Sequence, residues 1–284
     1  MKTGFIGLGH MGKAMAKRLL SQGVELIVWN RTPEKAEDLG VEIAESPAAL
    51  ASKVNVIIIN LFDSAAVRSV IEGDNGLLRS DIQGKLVIDT TTNHFNDAAY
   101  FHDLISSHGG QYLESSVLGS VGPASQGALT VLVSGKKEAY EKALPYLQKI
   151  GTNIFYLEKT TLATKMKLVN NLVLGTFMAA IAEAVAFGEA VGLEKSKVID
   201  ILAAGAGNSG VLNAKKDKLA KEDFSPQFQS ALIYKDLHYL EDLAFDLKKP
   251  LFTGSMVKEL YGMTFSRDEE KLDFSAIYRI LKEY

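Results

Sequence analysis

The sequence predicts an α/β domain with a doubly wound parallel sheet, followed by an all-helical domain, the two joined by one long helix. Three observations carry this. In residues 1–160, short apolar runs bounded by polar residues alternate with segments of helical spacing. A Gly7-x-Gly9-x-x-Gly12 run stands where the first such strand gives way to the first helix. Beyond about residue 160 the strand-like runs stop and only helical spacing remains. The domains are therefore placed at 1–160 and 161–284, with the linking helix over 161–190.

The elements follow in order. TGFIG (3–7) is a short apolar strand, and 10–21 has helical spacing, with Met11, Met15, Ala16 and Leu19 on one side. ELIVWN (25–30) is a second strand, after which Pro33 opens a helix at a favoured first position. VNVIIIN (54–60) and KLVIDT (85–90) are near-continuous apolar runs, as expected of strands covered on both faces. Helices fit at 64–72 and 96–107. QYLESS (111–116) and ALTVLVSG (128–135) extend the sheet with an antiparallel member, and TNIFYL (152–157) is the last strand. Further helical patterns cover 194–203, 211–220, 228–247, 251–263 and 273–283.

Composition narrows the chemistry. Hydrophobic residues make up 47% and charged residues 23%, enough for two ordinary cores under a solvated surface. A net charge of −3 gives no reason to expect a nucleic-acid or membrane partner. Cysteine is absent, which excludes disulfides, thiolate metal sites and thiol nucleophiles. The five histidines (10, 94, 102, 108 and 238) form no metal-binding spacing and read as non-catalytic. Lys2 leads directly into the first strand-like run, so no secretory leader is expected and the cytoplasm is the expected location. The apolar run 168–182 is shorter than the roughly 18–20 residues a membrane span needs.

The glycine run implies a dinucleotide. Gly7, Leu8, Gly9, His10, Met11 and Gly12 lie between strand and helix, where the glycines permit a tight turn and a close approach to a pyrophosphate. The second strand ends in Asn30-Arg31-Thr32 rather than in a carboxylate. Arg31 can pair with a 2′-phosphate and stack on adenine, so NADP(H) is favoured over NAD. Leu61, Phe62 and Val67 follow the next strand and are candidates to border the cofactor, although core packing accounts for them nearly as well.

Lys167 and Asn171 are four residues apart and share a helix face, while Lys165 points elsewhere. A cation with an amide partner suits carbonyl reduction, the lysine giving a proton to the oxygen as hydride arrives. Spacing alone favours a plain surface lysine. GLGHMGKAMAKRL, WNRT, DTTT, ESSVLGSVGPASQGALT, TKMKLVNN and YKDLHYLEDLA together resemble the β-hydroxyacid dehydrogenases over essentially the whole chain. The look is closest to the glyoxylate/succinic semialdehyde reductase and L-serine 3-dehydrogenase branches.

That resemblance implies a Rossmann NADP-binding domain and a helical substrate domain, acting on a small β-hydroxy acid or semialdehyde. It makes Lys167 the essential lysine and Asn171 its partner. It places a substrate-carboxylate loop on 114–122, Thr92 near nicotinamide and substrate, Lys235 and Asp236 as the pair from the helical domain, and Phe228 as an aromatic wall. A homodimer or homotetramer is the implied assembly. The family loop reads D-A-P-V-S-G; here it reads Glu114-Ser115-Ser116-Val117-Leu118-Gly119. Leu118 replaces the substrate-touching serine, so Ser116 or Ser120 must supply a hydroxyl, and the backbone at Gly119 and Ser120 can hold a carboxylate. Glycines that often precede the lysine are Thr161 and Ala163 here. An imine reductase and a non-catalytic NADP-binding scaffold or sensor are the rival readings; the retained Lys167, Asn171 and Asp236 speak against both. Among other charges, 215–223 reads as a solvated helix face, with the steering of anionic substrates by Lys215 or Lys218 as the alternative, and Glu183 and Glu189 as partners for cations of a second subunit.

Overall fold

The computed structural model describes residues 2–283. The chain forms two units, one ending at Lys167 and one beginning at Leu168. The first holds an eight-stranded sheet in the order β3-β2-β1-β4-β5-β6-β7-β8. Its strands are β1 (Thr3–Ile6), β2 (Leu26–Trp29), β3 (Glu42–Ile43), β4 (Val56–Ile59), β5 (Leu86–Asp89), β6 (Gln111–Leu118), β7 (Leu129–Ser134) and β8 (Gly151–Tyr156). Neighbours are parallel except at β6 and β7, so β7 and β8 both run against the rest, one more reversed strand than the sequence implies.

The helices of this unit are α1 (His10–Ser21), α2 (Pro47–Ala51), α3 (Ser64–Glu72), α4 (Phe95–Ser107), α5 (Val121–Gln126) and α6 (Lys137–Ile150). Strand residues alternate between the two faces. Phe5, Val28, Ile58 and Ile88 join Met15, Leu19, Ala143 and Leu147 of α1 and α6 on one face. Ile6, Ile27, Ile57, Ile59 and Val87 join Leu50, Val67, Ile71, Phe101 and Ile105 of α2, α3 and α4 on the other. Burial on both faces is why β1, β4 and β5 read as unbroken apolar runs. The turn after β2 is a 3-10 helix over Pro33–Leu39 rather than an α-helix.

The second unit is all helical. Its α7 (Leu162–Ala190) begins in the first unit and continues into α8 (Lys195–Ala204), α9 (Gly210–Lys221), α10 (Ser230–Asp246), α11 (Phe252–Gly262) and α12 (Ile277–Leu281). The predicted helix over 273–283 is a 3-10 turn at Phe274–Ala276 followed by α12. Small residues let α7 meet its neighbours. A Cβ at Gly175 would lie 3.3 Å from Ile233 and Leu237 of α10, and one at Gly188 only 2.6 Å from Val198 of α8. By length and composition α7 would pass for a membrane-crossing helix, so the shortness of its apolar run is no argument against a span. Its Leu168, Met178, Ala182 and Val185 are instead buried within the protein.

Candidate functional site

One row of residues crosses the sheet at its carboxyl edge: Ile6 opposite Ile59, Ile59 opposite Asp89, Asp89 opposite Glu114, and Glu114 opposite Ser134. The turns beyond that edge carry the polar residues of the unit, as expected for ligand sites in open α/β sheets. In the glycine run, Gly7 has φ +97°, and a Cβ there would lie 2.1 Å from the Asn60 carbonyl oxygen. A Cβ at Gly12 would lie 2.0 Å from the Gly7 carbonyl oxygen. These two glycines serve chain packing. Gly9 differs: a Cβ there would meet nothing within 4 Å, so its open face suits the close approach of a pyrophosphate. Gly9 is also the cap of α1 without a side-chain bond, and no acid stands in the first turn. His10 is exposed and Met11 half-buried. This arrangement fits a dinucleotide's anionic centre.

Asn30 ties this turn to the next. Its Oδ1 accepts from the Leu8 N–H at 2.8 Å, and its Nδ2 donates to the Thr32 carbonyl at 2.8 Å. Arg31 and Thr32 are exposed beside it. Asn60 donates to Thr90 Oγ1 at 2.9 Å and the Leu61 N–H to Thr91 Oγ1 at 3.0 Å, which locks the turns after β4 and β5 together. Phe62 is 47% exposed and able to face a ligand. Val67 corrects the sequence reading: it is fully buried in the core on the α3 side, so packing accounts for it and it offers a ligand no surface.

Beneath Thr92, which is half-buried, Asp89 is enclosed by Tyr112 (2.6 Å), Asn93 (2.8 Å) and the Thr91 N–H (2.8 Å). Burial raises its pKa against these hydrogen bonds, and burial together with Asp89 pushes the Tyr112 hydroxyl well above its usual range.

The run 114–122 divides in function. Glu114 is buried and does not face a ligand: its carboxylate accepts from the Thr161 N–H (2.6 Å), the Thr164 N–H (3.1 Å) and the Thr164 hydroxyl (2.6 Å), and lies 2.9 Å from His102 Nε2. The Ala163 N–H donates to Ser134 Oγ at 2.8 Å. The start of α7 is thus pinned to the carboxyl-edge row, and a carboxylate there is favoured by the helix dipole. The polar group in an apolar strand was the available signal for Glu114. Its partners, about fifty residues downstream, were not visible.

Farther along β6, Ser116 is buried on the same strand face as Glu114, and its Oγ has no hydrogen-bond partner among the described residues. Leu118 is half-buried, Gly119 exposed with φ +130°, and Ser120 half-buried at the start of α5.

Lys167 follows Thr164 by three residues and is only 7% exposed, unlike an ordinary surface lysine. Lys165 turns instead toward the ring of Phe95, 5.7 Å away. One helical turn beyond Lys167, Asn171 is fully buried and donates to Asp236 Oδ2 at 2.6 Å. The Lys235 ammonium lies 2.9 Å from Asp236 Oδ1, an ion-pair contact without hydrogen-bond alignment, and 4.8 Å above the ring of Tyr239. Asn171, Asp236 and Lys235 therefore form one chain of contacts. Phe228 is half-buried and edge-on to Phe274.

Three further expectations are corrected. Lys215 and Lys218 are not on a solvated face. Lys215 is buried against Asp273 at 2.9 Å, and Lys218 donates to the carbonyls of Asp223 (3.0 Å) and Ser225 (2.7 Å). Neither is placed to steer a substrate. Glu189 finds its partners within the chain, in the Tyr278 hydroxyl and Lys282.

Comparison with known proteins adds independent findings. Residues 2–158 match the NAD binding domain of 6-phosphogluconate dehydrogenase. Residues 162–281 match the NAD-binding domain of NADP-dependent 3-hydroxyisobutyrate dehydrogenase. Glyoxylate/succinic semialdehyde reductase 1 of Arabidopsis thaliana is 32% identical, over 99% of this chain and 99% of its own. Human cytokine-like nuclear factor N-PAC is 31% identical over 98% of this chain, which spans about half (51%) of that protein. The crystal structure of 3-hydroxyisobutyrate dehydrogenase from Salmonella typhimurium superposes with a TM-score of 0.92 at 25% identity, covering 99% of each chain.

Proposed function

This chain belongs to the β-hydroxyacid dehydrogenase family of NAD(P)-dependent oxidoreductases, and on that premise we propose that it is an NADP(H)-dependent reductase, or dehydrogenase, of small β-hydroxy acids and their semialdehydes. The observation that carries the reading is a buried lysine, Lys167, one turn into a helix whose start is held at the sheet's carboxyl edge. An ammonium kept from bulk water there is suited to protonating a substrate oxygen.

The cofactor is held by the open face of Gly9, the start of α1, and the turns carrying Leu61, Phe62 and Thr92; Arg31 takes the 2′-phosphate. When bound, its nicotinamide supplies hydride to the carbonyl carbon, or accepts hydride in the reverse direction. Lys167 donates a proton from Nζ to the substrate oxygen in reduction. In oxidation its neutral amine takes the hydroxyl proton. Asn171, fixed by its hydrogen bond to Asp236, orients the reacting oxygen. The backbone of Gly119 and Ser120, and Thr92, bind the carboxylate end; Ser116, enclosed like Val67, offers a ligand no surface. Leu118 makes that end less polar than a serine would, which favours a larger or less polar aldehyde acid.

A panel of substrates tests this reading. NADPH oxidation is followed with glyoxylate, succinic semialdehyde, tartronate semialdehyde and methylmalonate semialdehyde, and NADP+ reduction with L-serine and 3-hydroxyisobutyrate. Turnover of at least one aldehyde acid is expected. Turnover confined to a cyclic imine, or NADPH binding with no turnover at all, contradicts it.

A further inference from the structure

We propose that Glu114 is a positioning residue for Lys167: its carboxylate holds the strained first turn of α7 on the carboxyl edge of the sheet and so sets where the lysine begins. The proposal rests on the reading of Lys167 as the proton donor.

A helix leaves its first N–H groups without partners inside the helix. At α7 each of these has one. Thr161 and Thr164 donate to the two oxygens of Glu114, Ala163 donates to Ser134 Oγ, and Leu162 donates to the Lys159 carbonyl; the first bond of helical type runs from the Lys165 N–H to the Thr161 carbonyl. Glu114 therefore satisfies half of the entry by itself and adds the Thr164 hydroxyl.

The entry also needs holding. Thr161 has φ +70°, a left-handed conformation that a β-branched residue avoids and glycine adopts freely. Thr161 thus keeps a glycine's backbone shape only while something over-determines it. The Glu114 bond to its own N–H, at 2.6 Å, is the contact in place to do so. The clamp is itself rigid, because Glu114 lies mid-strand, paired with Asp89 on one side and Ser134 on the other. Lys167 is three residues beyond Thr164 on a continuous helix, so any slip of the first turn is passed to its side chain. Small misplacements of a reacting group cost rate rather than binding.

The test compares E114Q, E114A, T161G and E114Q/T161G with wild type and K167A, reading kcat, KM for NADPH, and amide hydrogen exchange at residues 161–164. E114Q loses one charged acceptor and is expected to lower kcat about 10- to 100-fold, leave KM for NADPH within about twofold, and speed exchange at 161–164. T161G alone keeps kcat within about twofold. Because glycine needs no clamp there, E114Q/T161G recovers about tenfold of the loss. Wild-type kcat and slow exchange in E114Q overturn the proposal, and so does a loss from E114Q that is equal with and without T161G. E114Q carries the test should E114A fail to fold. Full turnover in K167A, or no turnover in wild type, counts against the proton-donor reading alone. Exchange at 161–164 then still decides the clamp: faster in E114Q supports it, unchanged overturns it.

Discussion

Arg31 stands exposed after β2, in a turn where Asn30 is committed to the Leu8 N–H and the Thr32 carbonyl. That leaves Arg31 as the side chain suited to a 2′-phosphate. A hydrogen bond to a charged group contributes about 1.5–3 kcal/mol. R31A is therefore expected to weaken NADPH roughly 10- to 100-fold while changing NADH less than about threefold, as read by fluorescence titration. Equal weakening of both nucleotides would remove the case for NADP. Local sequence was enough to single out Arg31, by its place after the second strand, whereas spacing alone left Lys167 a surface lysine and only the family resemblance paired it with Asn171 in a site. The roles of Glu114 and Asp89 were not legible, because they depend on partners that only the folded sheet brings near.

Short elements and unusual ones escaped the sequence at the next scale. The strands β1, β4 and β5 were visible as apolar runs, and α7 as a long helical pattern. The two-residue β3 and five-residue α2 are too short to display a period. Helix α6 carries Pro145 in its interior, which masks an otherwise regular burial of Ala139, Ala143 and Leu147. The charged α9 looked solvated because its lysines are met by a loop and a 3-10 turn from elsewhere.

That contact has a pH consequence. Asp273 receives five donors: Lys215 Nζ, the N–H groups of Gln227, Phe228 and Ser275, and the Ser275 hydroxyl. Burial alone would raise its pKa, but Lys215 and these hydrogen bonds outweigh it and the net shift is downward. On Lys215, which meets only two acceptors, burial wins and lowers the pKa. A depressed carboxyl pKa stabilises the fold above the unfolded value of about 3.9 and loses that contribution as pH falls through the folded value. D273A leaves Lys215 buried without its partner and is expected to cost about 3–5 kcal/mol at pH 7. Urea unfolding at pH 7 and pH 3 checks both: the gap between wild type and D273A narrows in acid. An unchanged gap would separate Asp273 from the acid response.

The molecule as a whole combines a sheet unit with a helical unit, and both halves were foreseen from the switch in periodicity near residue 160. Lys167 and Asn171 both lie on α7; the turn before Lys167 is held by Glu114 of the sheet, and Asn171 by Asp236 of the helical unit. The central claim is that Lys167 moves the proton. Its most direct test is single-turnover oxidation of enzyme-bound NADPH by the best aldehyde acid, comparing wild type with K167A. The expected result is a rate lower by about 10²- to 10⁴-fold at an NADPH affinity within about twofold. An unchanged transient rate in K167A would contradict it.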